Sequence, residues 1–354
     1  MKAERLKAKN FRNLLPFEIT FCDGMNVIYG NNAQGKTNII EALWLFTGAK
    51  SFRTSKDSEL VAFGQPEAEL FLDFISGGVK REPKITVSTR RVAQLDTKKL
   101  KSASALAGNF CATVFSPADL SLVKDGPALR RKFIDLAIGQ LYPSYVSVLK
   151  SYARAVTQRN ILLKGMEGRL QHSEMLDAFE EEIALLGEKI IAQRVSYCER
   201  VTVNASDIYR ELSSEREELK VVYLPSCLYE DMRERLYQAR KTDIFSAVTS
   251  VGPHRDDLDF KINGISARSF GSQGQQRSVA IALKLAEAKT LKDIMGEQPA
   301  CLLDDVMSEL DPDRQTFILN HIKDWQVFIT CCDPANIKTL NDGKVFTVSG
   351  GKIK

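Results

Sequence analysis

Residues Gly30-Asn31-Asn32-Ala33-Gln34-Gly35-Lys36-Thr37 fit the pattern G-x-x-x-x-G-K-[ST] at every fixed position. The chemistry of such a stretch is anion capture. Glycines let backbone N–H groups curl around phosphate oxygens, and a helix starting at the end of the loop adds the partial positive charge of its N-terminus. With a nucleoside triphosphate, Lys36 would reach the β- and γ-phosphates and the Thr37 hydroxyl would ligate Mg²⁺. This works only where a strand delivers the loop and a helix leaves it. Residues 25–29, MNVIY, predict a short buried strand, and residues 38–46, NIIEALWLF, predict an amphipathic helix. Bound ATP with Mg²⁺ is the expectation.

Two further stretches complete a phosphate-transfer set. Leu302-Leu303-Asp304-Asp305 predicts a buried strand ending in two carboxylates. At a strand tip beside a P-loop, Asp304 suits the metal and Asp305 suits the attacking water as general base, because side chains alternate along a strand. Phe270-Gly271-Ser272-Gln273-Gly274-Gln275-Gln276-Arg277 precedes a helix predicted over 278–291. It resembles the signature motif of ABC-type ATPases, with Ser272 and Gly274 in place, Gln275 beside them and Gln273 where the first glycine usually stands. One P-loop already holds the phosphates from one side, so the signature is expected to act on the nucleotide of a second protomer. Ser308-Glu309-Leu310-Asp311 resembles the D-loop that follows. The histidine usual after the next strand is missing: 329–333 reads Ile-Thr-Cys-Cys-Asp, which leaves Thr330 as the candidate. Asp305 stands where many such ATPases carry glutamate, and its shorter side chain is compatible with slow hydrolysis.

The composition narrows the class. A chain of 354 residues suits a large core in two lobes. Seven cysteines without C-x-x-C spacing and three scattered histidines argue against zinc and for reduced cytosolic thiols. The start, MKAERLK, lacks an apolar signal core, and no apolar run approaches a membrane span. A cytoplasmic protein without membrane contact is expected.

Strands are predicted as an antiparallel pair over 5–21, over 67–74 and 84–89 with a Gly77-Gly78 turn, over 112–115 and 220–224, and as a hairpin about Asn263-Gly264. Apolar residues from Leu129 to Leu162 fall at threes and fours with one slip of five, predicting one long helix ended by Gly165 and Gly168. The series from Leu176 to Leu212 predicts its antiparallel partner, a leg of about 40 residues, or roughly 60 Å. Unbroken apolar runs at 300–303 and 327–329 predict central parallel strands. The fold class is therefore α/β: an ABC-type P-loop ATPase head with a helical insertion. The first part of ATPase lobe I is placed at 1–125, lobe II with the helical arm and signature at 126–276, and the rest of lobe I at 277–354.

The segments Lys9-Asn10-Phe11-Arg12-Asn13, Phe115-Ser116-Pro117-Ala118-Asp119-Leu120 and Val251-Gly252-Pro253-His254-Arg255-Asp256-Asp257-Leu258, with the motifs above, resemble the RecF family along essentially the whole chain. The resemblance implies a weak, DNA-stimulated ATPase of recombinational repair and the SOS response, nucleoid-associated, that dimerises on ATP. It implies binding at single-strand/double-strand junctions and gapped duplex DNA, partnership with RecR and RecO, and loading of RecA. It also makes Asn10 and Arg12 neighbours of the nucleotide. An SMC-like, DNA-bridging ATPase is the alternative, though the arm is too short for an extended coiled coil. Independent of the resemblance, residues 80–101 and 130–169 each carry eight basic against two acidic residues on a chain of net charge +4, a distribution suited to phosphate-backbone contact. His254 could serve either the nucleotide cleft or a structural hydrogen bond.

Overall fold

The computed structural model describes residues 1–166, 174–228, 230–332 and 343–354. Glu167, Gly168, Arg169 and Asp333, on which parts of the sequence reading rest, lie outside the described residues.

Strands β1 (Lys2–Lys9) and β2 (Phe17–Thr20) form the predicted antiparallel pair, with Leu6 opposite Ile19. Strand β3 (Met25–Tyr29) leads into α1 (Lys36–Leu45). Then come β4 (Ala68–Ser76), β5 (Val79–Arg81), β6 (Pro83–Val87), β7 (Arg91–Leu95) and β8 (Lys98–Lys99). Gly77 and Gly78 make the turn after β4, both at positive φ. The returning strand is split into β5 and β6 at Pro83, which has no N–H to donate, yet both pieces keep one register on β4. The resulting antiparallel sheet runs β2-β1-β4-β6-β7-β8, with β5 also on β4.

After β9 (Ala112–Phe115) the chain becomes helical: α2 (Pro127–Leu141), α3 (Pro143–Gly165) and α4 (Glu174–Leu212). The single helix expected from Leu129 to Leu162 is two. The slip of five in its apolar series lies just before Tyr142-Pro143, where a proline at the first helical position of α3 ends α2. The legs are also unequal, 23 residues in α3 against 39 in α4, about 34 and 58 Å at the helical rise.

The chain continues through β10 (Leu219–Leu224), α5 (Met232–Ser246), β11 (Asp257–Ile262), β12 (Ile265–Ser266) and α6 (Ala267–Phe270). Sheet β10-β11-β12 contains the Asn263-Gly264 hairpin. Helix α5 has little sequence signal: it buries only Met232, Leu236, Asp243 and Ile244. Helix α7 (Gln273–Met295) begins five residues before the predicted start. It is followed by β13 (Ala300–Leu303), α8 (Pro312–His321), β14 (Val327–Cys331), β15 (Lys344–Ser349) and β16 (Lys352–Ile353).

The central sheet has the order β16-β15-β3-β14-β13-β9, parallel except at β16. Alternation along its strands divides the core. Ile28, Leu302 and Phe328 pack with α1 and the antiparallel sheet, whereas Val27, Leu303 and Ile329 pack with the α2, α4 and α7 side. Held between two sheets, α1 is buried nearly all round rather than amphipathic.

Candidate active site

Sheet order sets the geometry. β3 delivers the P-loop, β13 delivers the acidic pair, and β14 lies between them. Two glycines of the loop admit no side chain. A Cβ at Gly30 would sit 2.2 Å from the Val348 carbonyl oxygen, and one at Gly35, where φ is +113°, would meet Leu14 Cδ2 at 2.6 Å. Within the loop, Gln34 Nε2 donates to the Asn32 carbonyl at 3.4 Å, and the Gly350 amide donates to Gln34 Oε1 at 2.5 Å. Lys36 Nζ is folded over the loop mouth, donating to the carbonyls of Gly30 at 2.7 Å and Asn31 at 3.3 Å.

Thr37 Oγ1 donates to Asp304 Oδ1 at 2.9 Å, so these two predicted metal ligands already touch. Hard oxygen donors, one neutral and one anionic, suit Mg²⁺, which would neutralise phosphate charge when bound beside them. Burial raises the Asp304 carboxyl above its ordinary value; hydroxyl bonds from Thr37 and Thr330 oppose this, and Asp305 adds to it. Asp305, with φ of +51°, lines a cavity of about 500 Å³ together with Lys36, Thr37, Asn32, Ala33 and Gly35.

Thr330 does not face that cavity. It is buried, its Oγ1 donates to Asp304 Oδ1 at 3.0 Å, and it accepts from the Asp305 amide at 2.8 Å. Lying on the strand between P-loop and acids, it pins both carboxylate residues instead of sensing a phosphate. Thr330→Val would leave the Asp305 amide without its acceptor and Asp304 Oδ1 with Thr37 alone, at a cost of about 1–3 kcal/mol. Urea unfolding should register that loss, and Thr330→Ser should recover it.

The cavity also contains residues that sequence reasoning missed. Arg12 joins as expected, gripping the buried Glu41 through Nε and Nη2 at 2.9 and 2.7 Å. Arg53 reaches Asn38 Oδ1 at 2.5 Å, and Glu59, Val61 and Phe63 complete the wall. Asn10 does not line it: its Nδ2 donates to the Glu67 carbonyl and its own carbonyl accepts from Ala62 N. His254 is structural, bonded to Tyr152 Oη at 2.7 Å and to the Thr249 carbonyl at 3.0 Å in the helical region. Its neighbours Asp256 and Asp257 are consumed by Arg194 and Arg130.

The signature residues lie elsewhere. Ser272 caps α7, accepting from Gln275 N at 3.2 Å while Gln275 Oε1 accepts from Ser272 N at 2.8 Å. Arg314 ties the Gly274 carbonyl at 2.9 Å to Ser278 and Asp311, welding signature and D-loop into one exposed unit. None of Ser272, Gly274 and Gln275 lines the P-loop cavity.

A P-loop, an Asp-Asp strand tip, a signature helix and a D-loop on this sheet order define an ABC-type ATPase head. A family model described as RecF/RecN/SMC N terminal domain matches residues 2–352. The chain is 37% identical to the DNA replication and repair protein RecF of Lachnospira eligens, covering all of this chain and 99% of that protein, and 38% identical to that of Clostridium acetobutylicum over the same shares. A solved RecF-ATP structure of a recombination mediator in the RecFOR pathway superposes with a TM-score of 0.90 at 34% identity, covering 100% of this chain and 97% of that one. The Smc head domain of Pyrococcus furiosus, at 17% identity, shares the fold with a TM-score of 0.55. The chain belongs to the RecF family, and it is an ATPase.

Proposed function

We propose that this chain is an ATP-gated DNA clamp of recombinational repair. Two heads close on ATP, each offering Ser272 and Gly274 to the nucleotide held by its partner's Lys36, Thr37, Asp304 and Asp305. The observation that carries this reading is the split site: the signature is capped, rigid and exposed, yet outside its own protomer's cavity. Hydrolysis is slow, DNA-stimulated and used for release. The division 1–125, 126–276 and 277–354 is kept as a proposal, with α7 straddling its last boundary. Relatives are called DNA replication and repair proteins, and the solved RecF neighbours belong to a RecFOR pathway, which supports gapped or junction DNA as substrate and RecR and RecO as partners in RecA loading. A cytoplasmic, nucleoid-associated location goes with that role; no helix among the described residues is long and apolar enough to cross a membrane.

The DNA surface needs a smaller set of charges than the sequence offers. Lys80, Arg81, Lys84 and Arg91 are engaged by Asp73, Asp96, Glu69 and Asp57, and Arg130 and Arg159 by Asp257, Glu180 and Asp243. Lys98, Lys99, Lys101, Lys150 and Arg154 are exposed and outside these pairs. Lys150 Nζ donates to Ser104 Oγ at 2.7 Å, three residues past the end of the first basic segment. Partial burial, with the charges of Lys50 and Arg91, lowers the Lys150 ammonium below its ordinary value.

Mobility-shift titration on gapped duplex across a salt series tests this. Lys150→Ala should weaken binding on every sequence alike and lower the log–log salt slope by about one. Binding without salt dependence would rule out the phosphate track.

A further inference from the structure

Phe63 is 105% exposed, yet it lines the same cavity as Lys36 and Thr37 and is the one aromatic among the described lining residues. We propose that Phe63 is the platform on which the nucleobase of the bound triphosphate stacks, and that it biases the site toward purine nucleotides.

Three observations converge on this assignment. The P-loop claims the phosphates, so the base must find its surface among the remaining walls, where Asn13 and Asn38 join Arg12, Arg53, Glu59, Val61 and Phe63. Of these, only a phenyl ring offers a flat apolar face matched to a base, and stacking is indifferent to hydrogen-bonding edges.

The main chain that carries the ring is also held in place. Gln65 N donates to the Ala62 carbonyl at 3.0 Å, closing a tight turn with Phe63 second and Gly64 third; Gly64 has φ of +77°, as a type II turn requires. That turn is stitched to the chain after β1. Ala62 N donates to the Asn10 carbonyl at 2.8 Å, Arg12 N donates to the Leu60 carbonyl at 2.9 Å, and Phe11 bridges Val61. Leu60 beneath is fully buried. The main chain is therefore anchored on both sides of a side chain that touches almost nothing. A base covering that ring removes apolar surface from water without ordering a loop. Asn10 acquires its role here, as the anchor of the platform.

The proposal rests on ATP occupying this cavity, so the test separates the two. Calorimetric titrations of ATP, CTP and tripolyphosphate are compared for the wild type, Phe63→Ala, Phe63→Trp and Lys36→Met, at protein concentrations below self-association. Phe63→Ala should weaken ATP by roughly 5- to 150-fold, the range of base–aromatic stacking. Tripolyphosphate should bind it as it binds the wild type, and the wild type's preference for ATP over CTP should shrink. Phe63→Trp should restore ATP affinity, with indole fluorescence quenched by ATP and not by tripolyphosphate.

Unchanged ATP affinity in Phe63→Ala overturns the proposal, as does equal weakening of ATP and tripolyphosphate. So does a variant with normal monomer affinity that fails only to self-associate, which would place the ring at the protomer interface. Normal ATP binding by Lys36→Met would instead remove the nucleotide assignment of the cavity itself.

Discussion

Asp305→Asn is expected to slow ATP hydrolysis by about 10²- to 10⁴-fold, the usual contribution of a positioned general base. ATP affinity should stay within a few-fold of wild type, and the ATP-bound dimer should accumulate. The substitution is unusually clean at this position. Asp305 sits at φ of +51°, where most L-residues are strained but Asp and Asn are both tolerated. Its amide is held by Thr330 Oγ1 at 2.8 Å through the backbone, so that bond survives the change. Asn keeps the shape and donates where a carboxylate accepted, which removes only the capacity to take a proton from water. Asp304, bonded to Thr37 and Thr330, keeps its place. Single-turnover hydrolysis with sedimentation velocity in ATP and Mg²⁺ reads both effects. A rate within threefold of wild type would take the base role from Asp305. A variant that binds ATP but stays monomeric would deny that nucleotide closes the heads.

Much of the site was legible because its chemistry sits on short local stretches. Gly30 to Thr37 is one loop with its own strand and helix, and Leu302 to Asp305 is one strand tip. Each carries its geometry with it: Thr37 and Asp304 meet in a hydrogen bond, and Lys36, Thr37 and Asp305 line one cavity. What stayed hidden depends on strand order. Thr330 follows the apolar run 327–329 where a phosphate sensor is expected, but it lies within β14, between β3 and β13, so its hydroxyl meets Asp304 and the Asp305 amide. Arg53 and Phe63 belong to a stretch with no apolar period. They reach the cavity only because residues 60–62 pair with residues 10–12, some fifty positions away.

Elsewhere, local rules competed with one another. Pro143 overrode an apolar series that runs through it with a single slip, dividing one expected helix into α2 and α3. Part of the basic runs is spent in ion pairs: Arg130 and Arg159 are buried against Asp257, Asp243 and Glu180. Charge along a sequence does not report which cations the fold neutralises. The Gly-Pro-His-Arg-Asp-Asp stretch, the most family-specific signal, is scaffold. Gly252, at φ of +129°, has no room for a Cβ, which would lie 2.2 Å from Tyr152 Oη, and its neighbours tie α3 and α4 to β11.

Mixing two inactive variants should restore hydrolysis, and this is the sharper test of the split site. Lys36→Met removes the phosphate-reaching ammonium from one jaw. Ser272→Arg places a cationic side chain on the exposed tip of the other, where phosphate and partner backbone must fit. The second change forfeits a helix cap, at about 1 kcal/mol, and the weld of Arg314 to Gly274, Ser278 and Asp311 remains to hold the unit together. Each homodimer then has two defective composite sites. In the mixed dimer both lesions fall on one site, and the other combines an intact P-loop with an intact signature. Random mixing in equal amounts should return roughly a quarter of wild-type activity, since half the dimers are mixed and half their sites are whole. If the signature served its own protomer's nucleotide instead, each chain would carry its own lesion and the mixture would stay inactive. The cavity geometry favours recovery: Lys36, Thr37 and Asp305 line it while Ser272, exposed, and Gly274, half-buried, stand outside it on a capped helix end.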